Sequence, residues 1–221
     1  MNPADNTIKY YEKNGRIDLK EKDDIISKIE KYVIERSNIF EQQTKGTKDE
    51  YNIYNEHIKY VYKYVILLSD GKKVDLEVLK LSALLHDIAM TDKELDRSKH
   101  NEYGALIAEK LLRELDYPEK KVQLVKKCIL NHSNKRLHYR TTEEEKILVD
   151  ADILSHFDSI SSLYSLAHNV IGLNDIDSIE FVREKLTKDF NEISSDLRYL
   201  VIDKYNKIMN NFDIKDWLHN Y

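Results

Sequence analysis

Glycine, proline and cysteine are scarce in this chain of 221 residues, which contains 5 Gly, 2 Pro and 1 Cys. Glycine and proline supply most turn conformations and interrupt helices, so their scarcity favours long helices and an all-α fold. The single cysteine, Cys128, excludes an intramolecular disulfide. The sequence also lacks an apolar leader and any apolar run long enough for a membrane span, so we expect a cytoplasmic protein.

Excess positive charge is also absent, since the formal net charge is -5. Proteins that coat nucleic acid present extended basic surfaces, so general nucleic-acid binding is not expected. The net charge does not exclude one small cationic pocket. The net charge is therefore compatible with a small phosphorylated substrate.

No stretch rich in Pro, Gly or Ser divides the chain, which predicts a single-domain helical bundle. Residues 1–20 are polar and aperiodic, and we expect a flexible N-terminal arm there. Residues 21–48 carry apolar side chains at three- and four-residue spacing, which predicts an N-terminal helix packed on the core. This helix could alternatively mediate a homodimer. Residues 49–221 are expected to form the main domain.

Periodicity and capping residues predict the helices of that main domain. They are expected over about residues 49–69, 75–90, 99–115, 118–133 and 141–170, and from about residue 176 to the C-terminus. Asp75 is a good N-cap for the helix that it precedes. Because this helix is apolar on nearly every face, we expect it to lie at the centre of the bundle.

The adjacent pair His86-Asp87 stands at the end of the apolar run from Leu79 to Leu85. Burial of an ionised carboxylate without a partner is strongly unfavourable, so Asp87 should face a cation, a paired base or a proton. Three more histidines, His57, His100 and His132, lie on the inward stripes of separate predicted helices.

A single histidine in such a stripe is more often a hydrogen-bonded core residue than a ligand. Three of them together with His86-Asp87 favour a metal site built from facing helices. Imidazole and carboxylate ligands suit Mn, Fe, Co, Ni, Zn or Mg better than Cu(I).

A second carboxylate ligand is expected from Asp150 or Asp152, which interrupt an apolar stretch. Residues two apart on a helix face different directions, so only one of the two can join the ligands. Periodicity does not choose between them.

Taken in order, these residues resemble the HD-domain superfamily of metal-dependent phosphohydrolases, and most of all its small stand-alone bacterial hydrolases. The resemblance covers about residues 50–212. The HD pair alone is a weak motif, but the ordered set is specific. Its segments are Leu84–Ala89 (LLHDIA), His100–Ala108, Ile129–His132 (ILNH), Lys146–Asp152 (KILVDAD) and Tyr205–Phe212.

The resemblance implies that His57, His86, Asp87 and Asp152 hold a divalent ion, which would be Mn, Mg, Co, Ni or Fe. It favours Asp152 over Asp150, which stays the reserve candidate. Relatives often carry another acid three residues after the last ligand, where this chain has Ser155.

His86, Asp87, His100 and His132 are the expected catalytic residues by the same resemblance. His100 and His132 match positions that either contact substrate phosphate or complete a second metal site. Glu102 could orient a ligand, although a surface acid near a helix start is the more common situation.

The expected reaction is hydrolysis of a nucleotide ester or anhydride by a metal-activated water, for example of a triphosphate to a monophosphate and pyrophosphate. Lys135 and Arg136 are expected to bind the outer phosphates, and Arg140 lies in the same basic loop. Among the 15 tyrosines, those nearest the predicted ligands are candidates for stacking on a base. These are Tyr54, Tyr60 and Tyr103.

Two other functions fit the same residues. A second metal held by His100 and His132 would complete the ligand set of HD-type di-iron oxygenases. A helical binding or regulatory module with a vestigial metal site is the non-enzymatic alternative, although a decayed site should have lost at least one ligand.

Overall fold

The computed structural model describes residues 24–133 and 140–211 of the chain. Within these ranges the protein is built from helices and contains no strand, which confirms the all-α prediction. The predicted arm over residues 1–20 lies outside the described residues, as do Lys135, Arg136 and the last ten residues.

The described part contains nine α-helices together with shorter helical segments. The α-helices are α1 (Ile25–Thr44), α2 (Lys59–Ser69), α3 (Leu76–Leu85), α4 (His100–Glu114), α5 (Glu119–Asn131), α6 (Glu143–His156), α7 (Ile160–Ser165), α8 (Asp175–Glu192) and α9 (Ile202–Asn210). The shorter segments are 3₁₀ turns at Ile88–Thr91, Arg97–Lys99 and Ser195–Leu200, and π-helical segments at Tyr54–Ile58 and Leu166–Ile171. None of the described helices is both long and apolar enough to cross a membrane.

Helix α3 lies at the centre of the bundle, as its sequence predicts. Asp75 caps it, because the Asp75 carboxylate accepts a hydrogen bond from the backbone N–H of Val78 at 3.1 Å. Seven of its residues are buried, and the helix contacts α1, α2, α4, α5 and α6. Ile29 and Val33 of α1 belong to the same apolar core.

The prediction that this central helix extends to about Met90 is wrong, because α3 ends at Leu85. Asp87 leaves the helical conformation, with φ -111° and ψ 18°, and a 3₁₀ turn follows. Adjacent side chains of an uninterrupted helix point in different directions. The break after Leu85 lets His86 and Asp87 face the same site.

Two other predicted helices are also shorter than expected. The helix predicted to start at Asp49 begins only at Tyr54, where the Asn52 side chain accepts a hydrogen bond from the backbone N–H of Asn55. The helix predicted over 141–170 ends at His156. The Ser159 hydroxyl donates to the Ser155 carbonyl at 3.0 Å, which satisfies a carbonyl at this helix end.

Gly104 lets α4 approach the backbone that carries the HD pair. A Cβ atom at this position would lie 2.9 Å from the His86 carbonyl oxygen, which is closer than real Cβ contacts. The obstacle is backbone, so a side-chain rotation cannot relieve it. Any larger residue must push α4 away from the end of α3.

We therefore expect Gly104→Ala to lower the free energy of unfolding by about 1–2 kcal/mol, since the clash outweighs the helix preference of alanine. Denaturant unfolding in the presence of a chelator measures this difference without a contribution from metal binding. Glu184→Ala is the control, because Glu184 is exposed within α8. Equal stability of Gly104→Ala and wild type would contradict the close-approach argument.

Candidate metal centre

Two groups of possible metal ligands meet at the centre of the bundle. The first group consists of His57, His86 and Asp152, and the second of Asp87, His100 and His132. Within each group the ligand atoms lie within 4.8 Å of one another. The structure thus brings together all six residues that the sequence analysis names as ligands or catalytic residues.

In the first group, the Nε2 atoms of His57 and His86 are 3.0 Å apart. Asp152 Oδ1 lies 3.2 Å from His57 Nε2 and 3.9 Å from His86 Nε2. In an octahedral site, two ligand atoms at right angles and each about 2.1 Å from one ion lie about 3.0 Å apart. The first group therefore has the spacing of neighbouring ligands around one divalent ion.

In the second group, the Nε2 atoms of His100 and His132 are 3.2 Å apart. Asp87 Oδ1 lies 3.5 Å from each of them. The other carboxylate oxygen of Asp87, Oδ2, faces the first group and is 3.6 Å from His57 Nε2 and 3.7 Å from His86 Nε2. The Asp87 carboxylate therefore lies between the two groups and offers one oxygen to each.

Irregular backbone presents several of these side chains. The π-helical segment Tyr54–Ile58 carries His57, and the break after α3 carries His86 and Asp87. His100 is the first residue of α4, and His132 directly follows the last residue of α5. By contrast, Asp152 lies within the regular helix α6.

The tautomers of the four imidazoles follow from the partners of their Nδ1 atoms. The Nδ1 atoms of His86, His100 and His132 lie 2.6–2.8 Å from backbone carbonyl oxygens. A carbonyl can only accept, so each of these Nδ1 atoms carries a proton and donates it.

His57 reaches the same tautomer through a hydroxyl group. Its Nδ1 lies 3.1 Å from Ser155 Oγ, and this hydroxyl already donates its proton to the Asp152 carbonyl. Ser155 Oγ must therefore accept from His57 Nδ1. Ser155 thus orients one of the candidate ligands.

In the neutral form, then, all four imidazoles aim the lone pair of Nε2 into the site. Each group brings two such lone pairs within 3.2 Å, together with a carboxylate oxygen. Lone pairs repel one another unless a cation or a proton lies between them. Fixing Nδ1 so that Nε2 faces inward is the usual way in which proteins orient a metal-binding histidine.

The Asp87 carboxylate is a second indication that a cation belongs in the site. Its Oδ1 atom is buried and has no hydrogen-bond partner among the described residues. A buried carboxylate oxygen without a partner is strongly unfavourable, so the site calls for a positive charge beside Asp87. The donor set of imidazole and carboxylate fits a divalent transition ion or Mg²⁺.

The pKa values of the site follow from burial and from the close approach of opposite charges. Burial lowers the pKa of His86 to about 4, so this imidazole stays neutral. Burial also acts to lower the pKa of His57 and His132, but Asp152 and Asp87 respectively outweigh it and raise both values. Burial raises the pKa of Asp87, but the surrounding imidazoles outweigh this effect and lower it.

Asp150, the reserve candidate, points away from the two groups. Its carboxylate accepts hydrogen bonds from the backbone N–H and the hydroxyl of Ser194, at 3.0 Å and 2.7 Å. These bonds connect α6 to the 3₁₀ turn that follows α8. The structure therefore brings Asp152, and not Asp150, to the histidines.

The predicted phosphate-binding loop is only partly described. Lys135 and Arg136 lie outside the described residues. Arg140 donates hydrogen bonds to the carbonyl oxygens of Asn131, His132 and Ser133, at 3.0–3.1 Å, and so closes the C-terminal end of α5. These hydrogen bonds fix the position of the backbone beside His132.

Sequence reasoning missed a histidine behind the first group. His156 stacks on His57 with ring centroids 5.6 Å apart, and its Nε2 lies 3.9 Å from Asp152 Oδ1. Its Nδ1 lies 2.9 Å from the buried carboxylate of Asp189, which Lys185 also contacts. The signal was available, because residues four apart on a helix share a face and His156 follows Asp152 by four.

The tyrosines expected to stack on a base contact other parts of the molecule. Tyr54 donates a hydrogen bond to Glu30 on α1, and the ring of Tyr60 lies under the ammonium of Lys59. Tyr103 packs against the apolar core. Instead, Tyr51 lines a cavity that His57, Asp87 and His156 also line.

A known protein family matches the part of the chain that contains this site. The HD domain family model matches residues 54–156, a range that contains all six candidate ligands and His156. Among solved structures, the chain is similar to a predicted HD superfamily hydrolase from an uncultured Thermotogales bacterium. The sequence identity is 24%, the TM-score is 0.45, and the match covers 69% of this chain and 84% of that chain. None of the curated proteins compared matches the chain. Residues 54–156 of the chain therefore match the HD domain family.

Proposed function

We propose that the protein is a divalent-metal-dependent phosphohydrolase acting on a phosphate ester or anhydride of a nucleotide. The observation that carries the proposal is the arrangement around Asp87, in which two pairs of inward-facing imidazole nitrogens flank one carboxylate whose Oδ1 atom is buried. Such a set can hold positive charge where a phosphoryl group would bind. Bound divalent ions would supply a water of lowered pKa and neutralise the phosphoryl oxygens.

His57, His86 and Asp152 would hold one ion, and His100 and His132 a second, with Asp87 shared between them. Of the two roles expected for His100 and His132, this assignment chooses the second metal site over contact with substrate phosphate. It is supported by their Nδ1 atoms, which are committed to backbone carbonyls and leave both Nε2 lone pairs facing Asp87 Oδ1.

The cavity beside the candidate ligands supports a phosphorylated substrate with an organic part, because Leu163, Tyr51 and Met90 are among the side chains that line it. Lys48 and Arg97 also line it and can contact phosphate oxygens, although Asp49 and Glu50 match their charges. Lys135 and Arg136 remain proposed contacts for outer phosphates. A nucleoside triphosphate cleaved to monophosphate and pyrophosphate is the first substrate to test. Manganese as the native ion, a cytoplasmic location and a homodimer stay predictions.

A di-iron oxygenase of the HD type is the second candidate, because a carboxylate between two ligand groups also suits a pair of irons. The two functions differ in their requirements. An oxygenase needs iron and consumes oxygen, whereas a hydrolase works without oxygen and accepts Mn or Mg. A vestigial binding module is less well supported, since none of the six ligands is missing.

The first prediction concerns turnover. Wild-type protein loaded with Mn, Mg, Co or Ni should release phosphate or pyrophosphate from nucleoside mono-, di- or triphosphates under anaerobic conditions. Asp87→Ala should reduce turnover at least about a thousandfold, because it removes the group shared by both ions. Product analysis identifies the bond that is cleaved. Activity that appears only with iron and oxygen would contradict the hydrolase and support the oxygenase.

The second prediction concerns the number of ions. Metal analysis after equilibrium dialysis should find about two ions per chain in the wild type. It should find about one ion per chain in the double variant that carries both His100→Ala and His132→Ala. Asp152→Ala should lose the ion of the first group. Asp150→Asn is the matched control, because its side chain bonds to Ser194, and it should retain both ions. Loss of metal from Asp150→Asn with retention in Asp152→Ala would reverse the assignment.

The third prediction concerns pH. Because the pKa values of His57 and His132 are raised, their Nε2 atoms take up protons as the pH falls, and a metal must displace these protons. Apparent Mn affinity should therefore weaken as the pH falls through the raised pKa values of His57 and His132 towards the ordinary imidazole pKa of about 6.5. Calorimetry in buffers of different ionisation enthalpy measures the released protons. Metal binding without proton release would contradict this prediction.

A further inference from the structure

His156 lies beside the candidate metal centre but belongs to neither group of candidate ligands. Its ring is nearly parallel to that of His57, with an angle of 14° between the planes and 5.6 Å between the centroids. Its Nε2 lies 3.9 Å from Asp152 Oδ1. The side chain is 16% exposed and lines the cavity that His57 and Asp87 also line. Water and substrate can therefore reach this imidazole.

A buried ion pair holds the other edge of the His156 ring. Asp189 of α8 is fully buried, and its Oδ2 lies 2.9 Å from His156 Nδ1. Lys185, one turn earlier in α8, lies 2.6 Å from both oxygens of the Asp189 carboxylate. Burial raises the pKa of Asp189, but the contacts with His156 and Lys185 outweigh this effect and lower it. Asp189 is therefore an ionised carboxylate, which can only accept hydrogen bonds.

The partner of Nδ1 fixes the tautomer of His156. A lone pair on Nδ1 would face an accepting carboxylate oxygen 2.9 Å away with no hydrogen between them. The Nδ1 atom therefore carries the proton and donates it to Asp189. Lys185 also lies 3.2 Å from Nδ1, but its ammonium already donates to both carboxylate oxygens. In the neutral ring, the available lone pair is then on Nε2, the atom that lies near Asp152.

A buried carboxylate bonded to Nδ1–H prepares an imidazole to take up a proton at Nε2. The carboxylate holds the ring in one tautomer, and it stabilises the positive charge that appears when Nε2 is protonated. Stability alone does not account for the burial of Asp189, because apolar residues in place of a buried ion pair are often neutral or stabilising. The arrangement behind His156 is therefore that of a proton acceptor.

We propose that His156 is the general base of the site, which accepts a proton from the attacking water at Nε2, and that Asp189 is the positioning residue that fixes its tautomer. This proposal rests on the proposed function. One water can lie about 2.8 Å from both His156 Nε2 and Asp152 Oδ1, because these atoms are 3.9 Å apart. The four candidate ligand imidazoles would use their Nε2 lone pairs on the ions, which leaves that of His156 for the water.

The proposed step moves one proton and exchanges one bond at phosphorus. The water oxygen forms a bond to phosphorus while one of its protons passes to His156 Nε2. The bond between phosphorus and the leaving oxygen breaks, and its electron pair stays on that oxygen. The leaving oxygen takes a proton from solvent, and His156 returns its own proton to solvent. The imidazole is then neutral again and ready for the next turnover.

His156→Gln removes the base and keeps a side chain that can still donate a hydrogen bond to Asp189. With the Mn-loaded full chain we expect kcat to fall at least about a hundredfold, since a positioned proton acceptor contributes about 10²–10⁴. KM should change by less than about threefold, because the interaction is made in the transition state. Metal analysis should still find both ions. His168→Gln should keep the wild-type kcat, and it is the control because His168 is 42% exposed and does not line the cavity.

Two further measurements separate a general base from other roles. A good leaving group such as p-nitrophenolate needs no general acid, so loss of an acid would spare the hydrolysis of bis(p-nitrophenyl) phosphate. The loss in His156→Gln should instead be about equal on this ester and on nucleotides. Imidazole in the buffer should raise the activity of His156→Ala at least about tenfold, and substituted imidazoles should act better as their basicity increases.

The tautomer of His156 can be measured without turnover. Nitrogen-15 NMR of histidine-labelled, Mg-loaded protein at about pH 8 distinguishes the two neutral tautomers, and the spectrum of His156→Gln identifies the signal. We expect a protonated Nδ1 in the wild type and a protonated Nε2 in Asp189→Asn, whose amide can donate to Nδ1. Asp189→Asn should also lower kcat and retain both ions. Asp150→Asn, the matched control at another buried aspartate, should keep the wild-type tautomer and kcat.

The outcomes distinguish this proposal from the proposed function. Hydrolysis by the wild type with an unchanged kcat in His156→Gln would overturn the general base and leave the hydrolase in place. Loss of an ion from His156→Gln would also overturn it, because His156 would then be a ligand. A protonated Nε2 in the neutral wild-type ring would overturn it whether or not any substrate is hydrolysed. A protonated Nδ1 without hydrolysis of any substrate would overturn the hydrolase, and the general base with it.

Discussion

The carboxylate of Asp87 sets the constraint on which the centre of this molecule depends. It lies among four imidazoles, and its buried Oδ1 atom has no hydrogen-bond partner among the described residues. A buried anion must be compensated, and the hydrogen bonds at Nδ1 turn the lone pairs of the histidines toward the same point. The cluster is therefore organised as a receptor for positive charge, with neutral imidazoles and two carboxylates as the donors.

The departures from regular helix geometry can be understood from this constraint. A continuous α3 would turn His86 and Asp87 about 100° apart, so the helix ends at Leu85 and both side chains reach the site. Gly104 allows α4 to lie against the His86 carbonyl, which brings His100 toward Asp87. The buried Glu145 accepts hydrogen bonds from the Asn131 amide and from the backbone at Thr142, and so links the start of α6 to the end of α5 beside His132.

Much of this could be predicted from the sequence, but the irregular parts could not. Helical periodicity indicated the all-α fold, the central helix after Asp75 and the inward direction of His57, because burial of an apolar stripe is a local signal. The end of α3 was not predictable in this way, since the apolar pattern continues through Ile88 and Met90. Asp150 and Asp152 were equivalent by periodicity, and the resemblance alone favoured Asp152. The structure distinguishes them, because Asp150 bonds to the distant Ser194 whereas Asp152 lies beside His57. Tyr51 was overlooked because the cavity that it lines is formed by segments about a hundred residues apart.

The charge of the centre connects the metal to the substrate. When all four imidazoles are neutral, the two carboxylates of Asp87 and Asp152 give the ligand set a charge of about -2, which would repel a phosphate. Two divalent ions held as proposed would reverse the sign to about +2, and the strongest local charge would then attract the phosphoryl group. The neutral, apolar cavity next to it would add affinity only for the organic part of the substrate. Phosphate recognition would thus depend on metal loading, whereas recognition of the organic group would depend on the packing of Leu163, Tyr51 and Met90.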